Sequence, residues 1–247
     1  MTGPLEFVNP TCTMTNQQTK SKERVTKHGE VFTAEREVNA MLDLVKQETE
    51  RIESRFLEPA CGNGNFLAEI LRRKLAVVKS LYGKNPDDYE RYAVLAVTSI
   101  YGVDILEDNV EECRDRMFDI FDKEYAANCK DNANDDTRKA VRHILRHNIL
   151  CGDALNMVET VDGKPKLTPD GEQVPLEFAE WSLVNSCLLK RRDFSLTQLL
   201  NANEKNLQLD LFGEVGRYEL DPTTKERLPL PVRQFPPIYY RRLGDNE

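Results

Sequence analysis

Phe56-Leu57-Glu58-Pro59-Ala60-Cys61-Gly62-Asn63-Gly64-Asn65-Phe66-Leu67 is the stretch whose reading decides the fold. It opens as a short apolar strand and runs into a glycine-rich turn. From there the spacing becomes helical, with Leu67, Ile70, Leu71, Leu75 and Val78 on one face. Glycines let a backbone approach a ligand closely, and the first turn of the helix presents N–H groups that have no intrahelical partner. A small polar ligand fits such a cradle. Ordinary strand-to-helix connections use Gly-x-Gly as well, so the neighbouring segments decide what this one means.

Upstream, Val38, Met41, Leu42 and Val45 recur at helical spacing from Ala34, with Thr33 as the expected cap and Glu35 and Glu37 in the first turn. Downstream, a helix beginning near Pro86 leads to a second strand, Ile100-Tyr101-Gly102-Val103-Asp104-Ile105. The next helix carries Val110, Cys113, Met117 and Phe121, and a third strand, Asn148-Ile149-Leu150-Cys151, ends in Gly152-Asp153-Ala154-Leu155. Each strand therefore ends at an acid, Glu58, Asp104 or Asp153. In α/β folds ligands bind in the crevice at the carboxyl ends of the strands, and an acid there can accept from ribose hydroxyls. The alternation predicts an α/β, Rossmann-like fold: a mostly parallel sheet with helices on both faces. Residues 1–22 are polar and aperiodic and read as a flexible segment, residues 23–200 as the ligand-binding domain, and residues 201–247 as a proline-containing tail.

The chain is acidic, with a net charge of -8, which excludes a whole-surface nucleic-acid binder. Contact with DNA must then be local or supplied by a partner. Arg72-Arg73-Lys74 and Lys190-Arg191-Arg192 are the two candidate patches, and the simpler reading of each is a solvated face. No apolar run is long enough for a membrane helix, and no basic-then-apolar leader opens the chain, so a cytoplasmic protein is expected. Cys12, Cys61, Cys113, Cys129, Cys151 and Cys187 form no C-x-x-C pair and read as free thiols. His143 and His147 stand one helical turn apart without further ligands at zinc spacing, so no metal is expected.

Glu58-Pro59-Ala60-Cys61-Gly62-Asn63-Gly64-Asn65-Phe66 resembles the cofactor motif of the amino-methylating, adenine-specific DNA methyltransferases of restriction-modification systems. His28-Gly29-Glu30-Val31-Phe32-Thr33 resembles the family's segment that closes over the methionine end of the cofactor, with Ala34 where the family has proline. Four motifs in order, over residues 24–156, carry the likeness. It implies a class I methyltransferase fold that binds S-adenosylmethionine. Phe32 and Thr33 would cover the methionine moiety, and Glu58 with Ala60 would meet its amino and carboxylate end. Gly62 and Gly64 would line the turn, Asp104 would hold the ribose, Ile105 would pack on adenine, and Asp153, followed by Ala154, would accept from the adenine amino group.

The family transfers its methyl group beside an Asn or Asp followed by Pro-Pro and an aromatic, and no such tetrapeptide stands in this chain. The catalytic residues are therefore unassigned. At the expected place Leu176-Glu177-Phe178-Ala179-Glu180-Trp181-Ser182-Leu183-Val184 reads as a strand, with Glu180 and Trp181 as a conceivable acceptor and stacking face, although a lone Trp is usually core. Phe235-Pro236-Pro237-Ile238-Tyr239-Tyr240 imitates the motif but has Phe235 at the acceptor position, and it reads as an extended segment docking on another surface. Gln208-Leu209-Asp210-Leu211-Phe212 resembles the short peptide by which bacterial DNA-processing proteins dock on the sliding clamp. Two functions follow. One is a DNA adenine methyltransferase subunit that needs a separate specificity subunit; the other is a catalytically inactive S-adenosylmethionine-binding module in a DNA-associated complex. A dinucleotide-binding oxidoreductase fits less well, because the turn lacks a third glycine.

Overall fold

The computed structural model describes Arg24, Thr26 and residues 33–201, 218–220 and 227–245. Helix α1 (Glu35–Asp43) and the single turn α2 (Lys46–Thr49) lead into strand β1 (Phe56–Glu58). Helices α3 (Asn65–Tyr82) and α4 (Pro86–Thr98) connect β1 to β2 (Ile100–Asp104), and α5 (Glu107–Cys129) and α6 (Asp135–Asn148) connect β2 to β3 (Ile149–Asp153). Strands β4 (Val158–Val161) and β5 (Lys164–Pro165) then turn back, followed by β6 (Glu177–Val184), β7 (Leu188–Ser195) and α7 (Leu196–Asn201). The chain closes with β8 (Tyr218–Leu220), β9 (Arg227–Pro229), β10 (Arg233–Gln234), β11 (Ile238–Tyr239) and a 3-10 turn at Tyr240–Arg242.

Local chemistry sets several of these boundaries. The Asn85 side chain accepts from the N–H groups of Asp87 and Asp88, with Pro86 at the first helical position, so α4 starts where proline and an amide cap coincide. Asn134 caps α6 in the same way through Thr137 N–H, 2.9 Å away. Thr33 does not cap α1. Ala34 holds that position, with no side-chain cap.

Strands β1, β2 and β3 lie side by side in chain order and run parallel, and β4 and β5 extend the far edge antiparallel. The molecule is thus α/β with a mixed sheet, compatible with a Rossmann-like arrangement. One face, bearing Ile100 and Ile149, packs on α3 to α6. The opposite face, bearing Tyr101, Val103 and Leu150, is covered by Leu176, Phe178 and Leu196. Helices on both faces were expected; among the described residues the second face meets Leu176 and Phe178, at the start of β6, and Leu196, which opens the short α7. The reason is topological: successive right-handed crossovers that step the same way across a sheet leave their helices on one face.

The predicted strand around residues 176–184 forms as β6, but it is no neighbour of the parallel strands. It pairs antiparallel with β7 along its whole length, and β10 and β11 pair with β7 as well. Buried Asn148 joins the two sheets: its amide donates to Thr98 O and Ile100 O, and its Oδ1 accepts from Trp181 Nε1 at 2.8 Å. Phe235–Tyr240, read from sequence as a segment for another surface, returns to this molecule, with Ile238 and Tyr239 in the second sheet and Tyr240 buried in the main core. No helix among the described residues is long and apolar enough to cross a membrane.

Candidate functional site

The turn after β1 is held in a conformation that glycine favours. Gly62 has φ +52° and Gly64 has φ +84°, both left-handed. A Cβ on Gly64 would lie 2.5 Å from Cys113 Sγ. Gly102 of β2 is equally confined, since a Cβ there would lie 2.8 Å from Leu67 Cδ1 and 3.0 Å from Cys61 Sγ. Small residues therefore let strand, turn and helix α5 close on one another.

Asp104 anchors the turn from the neighbouring strand. Its Oδ2 accepts from Gly62 N–H at 2.9 Å, and its Oδ1 accepts from Leu106 N–H at 2.9 Å and from the Asn109 amide at 3.3 Å. A carboxylate oxygen has two acceptor sites, so Oδ1 is filled by these two donors and Oδ2 has one site beyond the Gly62 bond. Glu58 is half-buried; burial raises its carboxyl above the usual range, opposed by a hydrogen bond from Ala60 N–H. The strand register fixes the relative positions of the three acids. Glu58 lies beside Gly102, Asp104 beside Cys151, and Asp153 two residues further along β3. They rise as a staircase of two residues per strand, all on one face.

Other predicted residues fall around this edge in different states. Thr33 is drawn to the turn, its carbonyl accepting from Asn65 Nδ2 at 3.0 Å. Ile105 is half-buried, with its carbonyl near Cys151 Sγ at 3.8 Å. Asp153 serves its own turn: Oδ1 accepts from Leu155 and Asn156 N–H and Oδ2 from the Asn156 amide, and these bonds hold its carboxyl below the usual range. Ala154 packs against the second core. Phe32 and Gln208–Phe212 lie outside the described residues.

Sequence reading missed the clamp around the turn. Arg116 of α5 donates to Asn65 Oδ1 at 2.5 Å and to Asn63 O at 3.4 Å, and Asn63 Nδ2 donates to Glu112 at 2.9 Å. The available signal was spacing, because Arg116 follows Cys113 by three residues and so shares its helix face.

The substitute acceptor and stacking face are both engaged elsewhere. Glu180 is paired with Arg55 at 2.6 Å and with Arg192. Trp181 is 5% exposed, hydrogen-bonded to Asn148 and edge-on to His143 and His147. The two basic patches are partly committed to internal partners, with Arg72 exposed. Lys74 is fully buried, Arg73 is bound to Glu69 and Asp43, and Arg191 chelates Asp193.

No known family model, curated protein or solved structure matches the chain.

Proposed function

We propose that the chain is the S-adenosylmethionine-binding subunit of an adenine-specific, amino-methylating DNA methyltransferase of class I fold, working with a separate specificity subunit. One observation carries the reading: a left-handed glycine turn at the carboxyl ends of the parallel strands, whose Gly62 N–H is held by Asp104. Acceptors at the strand ends, Glu58 and Asp104, suit a ligand with a ribose at one end and an amino group at the other. Phe32 and Thr33 would cover the methionine end; Glu58 with Ala60 would take its charged groups; Gly62 and Gly64 would admit it closely. Asp104 would hold the ribose, Ile105 would flank adenine, and Asp153 beside Ala154 would accept from its amino group. When bound, the cofactor supplies an activated methyl group.

A second reading, the non-catalytic module, is favoured by the engagement of Glu180 and Trp181, the two residues that could have stood in for the missing motif. Calorimetric titration with S-adenosylmethionine tests both readings, for wild type and Asp104→Ala, followed by transfer of labelled methyl to unmethylated bacterial DNA with and without cell extract. The expected result is binding that falls at least about tenfold in the variant, a loss of about 1.4 kcal/mol, with transfer that needs the extract. Binding without transfer under either condition selects the module. Absence of binding by the wild type ends both.

A further inference from the structure

We propose that Arg116 is a positioning residue for the methionine end of the cofactor, orienting the Asn65 amide that holds the Thr33 main chain against the glycine turn. The inference rests on the S-adenosylmethionine reading above and deepens it by naming what sets the covering residue in place.

A relay of two hydrogen bonds crosses three segments. Arg116 of α5 donates through Nη1 to Asn65 Oδ1 at 2.5 Å, and Asn65, the first residue of α3, donates through Nδ2 to Thr33 O at 3.0 Å. Among the described residues no other hydrogen bond reaches Thr33. Ala34 opens α1 without a side-chain cap, so the Asn65 amide is what fastens the entry of α1 to the turn. Arg116 also donates to Asn63 O at 3.4 Å, and its two acceptors therefore flank Gly64, the residue with φ +84°.

The chemistry of the relay requires an amide at its centre. A guanidinium only donates and a carbonyl only accepts, so the group between them must accept on one side and donate on the other; a carboxamide does both and a carboxylate does not. Local forces favour the carboxylate: the first turn of α3 holds no acid, the helix dipole would welcome one, and a cation stands beside it. Among the described residues Arg116 makes no ion pair, and its bonds go to two neutral acceptors. Burial, and then the like charge of Arg72, hold its guanidinium below the usual arginine pKa. A part-buried cation given only neutral acceptors is costly, and its effect here is to fix the amide. Turned over, Asn65 would set Nδ2 against the guanidinium and Oδ1 against Thr33 O. In the proposed complex Thr33 meets the methionine end, whereas Asp104, Ile105 and Asp153 meet the nucleoside. Loss of the relay is therefore felt by one end of the ligand alone.

The test is calorimetric titration of the full-length protein with two thioethers. S-adenosylhomocysteine carries the amino-acid end, and methylthioadenosine is the same nucleoside without it. Wild type, Asn65→Asp, Arg116→Met and the double variant are compared, each with a thermal melt. Asn65→Asp exchanges the donor to Thr33 for an oxygen while giving Arg116 an ion pair and α3 an acid in its first turn, so its fold should be at least as stable as wild type. The expected result is that preference for S-adenosylhomocysteine over methylthioadenosine falls by at least about tenfold in each single variant, and no further in the double variant, because the two residues act as one unit. Methylthioadenosine should bind Asn65→Asp as it binds wild type. A preference that Asn65→Asp leaves unmoved overturns the proposal. So does an equal loss on both ligands, which would make the relay a prop of the fold, and so do losses that multiply in the double variant. Wild type that binds both ligands alike also overturns it, since the amino-acid end would then be untouched. Wild type that binds neither ligand ends the cofactor reading itself, which separates that failure from the failure of the relay.

Discussion

Position 64 needs glycine for two separate reasons, a left-handed φ of +84° and the Cys113 thiol 2.5 Å from where a Cβ would stand. Gly64→Ala is expected to cost about 1–3 kcal/mol, the left-handed strain plus the overlap. Adding Cys113→Ala should recover only the overlap, which urea melts of the single and double variants will read as a coupling. An identical cost in both backgrounds would remove Cys113 from the account. Lys74 is a second residue whose setting sets its chemistry. Fully buried, its ammonium donates to Ile52 O, Ser54 O and Ser99 Oγ, fastening the approach to β1, and burial pulls its pKa down to about 7. Its folded pKa lies below the unfolded one, so the unfolded chain holds more protons from about pH 7 to about pH 10.4, and stability rises with pH through that window. Lys74→Met strands these acceptors, should lose about 2–4 kcal/mol at neutral pH, and should lack that rise in melts repeated at about pH 9.5. In the sequence Lys74 passed as one of three basic residues. Helical spacing alone, which puts it three after Leu71 and four before Val78, would have placed it on the buried face. That Glu58 and Asp104 close their strands was legible because a strand end is a local pattern.

Elements were more legible than their neighbours. The start of α4 near Pro86 and the strand around residues 176–184 can be read from spacing and turn chemistry, and both form. What the period of a strand does not encode is its partner, so β6 reads equally well as a parallel neighbour of β1 or as the first strand of a separate antiparallel sheet. The choice is made by contacts between segments far apart in the chain, above all Trp181 Nε1 on Asn148 Oδ1, which in turn binds the backbone at Thr98 and Ile100. Trp181→Phe keeps the ring's burial but leaves that amide oxygen without a donor. It is expected to lower stability by about 1–2 kcal/mol in denaturant melts and to leave S-adenosylmethionine affinity unchanged. A drop in affinity would return Trp181 to the ligand site. The Thr33 cap failed for the same kind of reason, since a distant amide, Asn65, draws its carbonyl to the turn while Ala34 starts the helix.

At the scale of the molecule, one buried carboxylate closes the chain on itself. Glu90 of α4 is 1% exposed; its Oε1 accepts from the Tyr240 hydroxyl at 2.5 Å and Arg241 Nε at 2.6 Å, and its Oε2 from the Tyr125 hydroxyl at 2.5 Å and the Asn134 amide at 3.2 Å. Nothing in the sequence links residue 90 to residue 240, because proline and aromatic content suggests an extended tail and a single acid in a helix carries no address. Burial works to raise the Glu90 carboxyl pKa, but the bonds from Arg241, Tyr125 and Tyr240 outweigh it and the net shift is downward. A folded pKa below the unfolded one contributes stability above the ordinary glutamate range and loses it as pH falls through the folded value. Glu90→Gln offers an amide N–H₂ to donors that need an acceptor and leaves Arg241 without its carboxylate. At neutral pH the variant should be less stable by about 2–4 kcal/mol. The gap should narrow below about pH 4.5, as wild type takes up the proton that the variant does not need. Thermal melts of both proteins at neutral and acid pH measure that gap. A difference that stays constant into the acid range would mean that Glu90 holds the carboxyl-terminal turn by shape and not by charge.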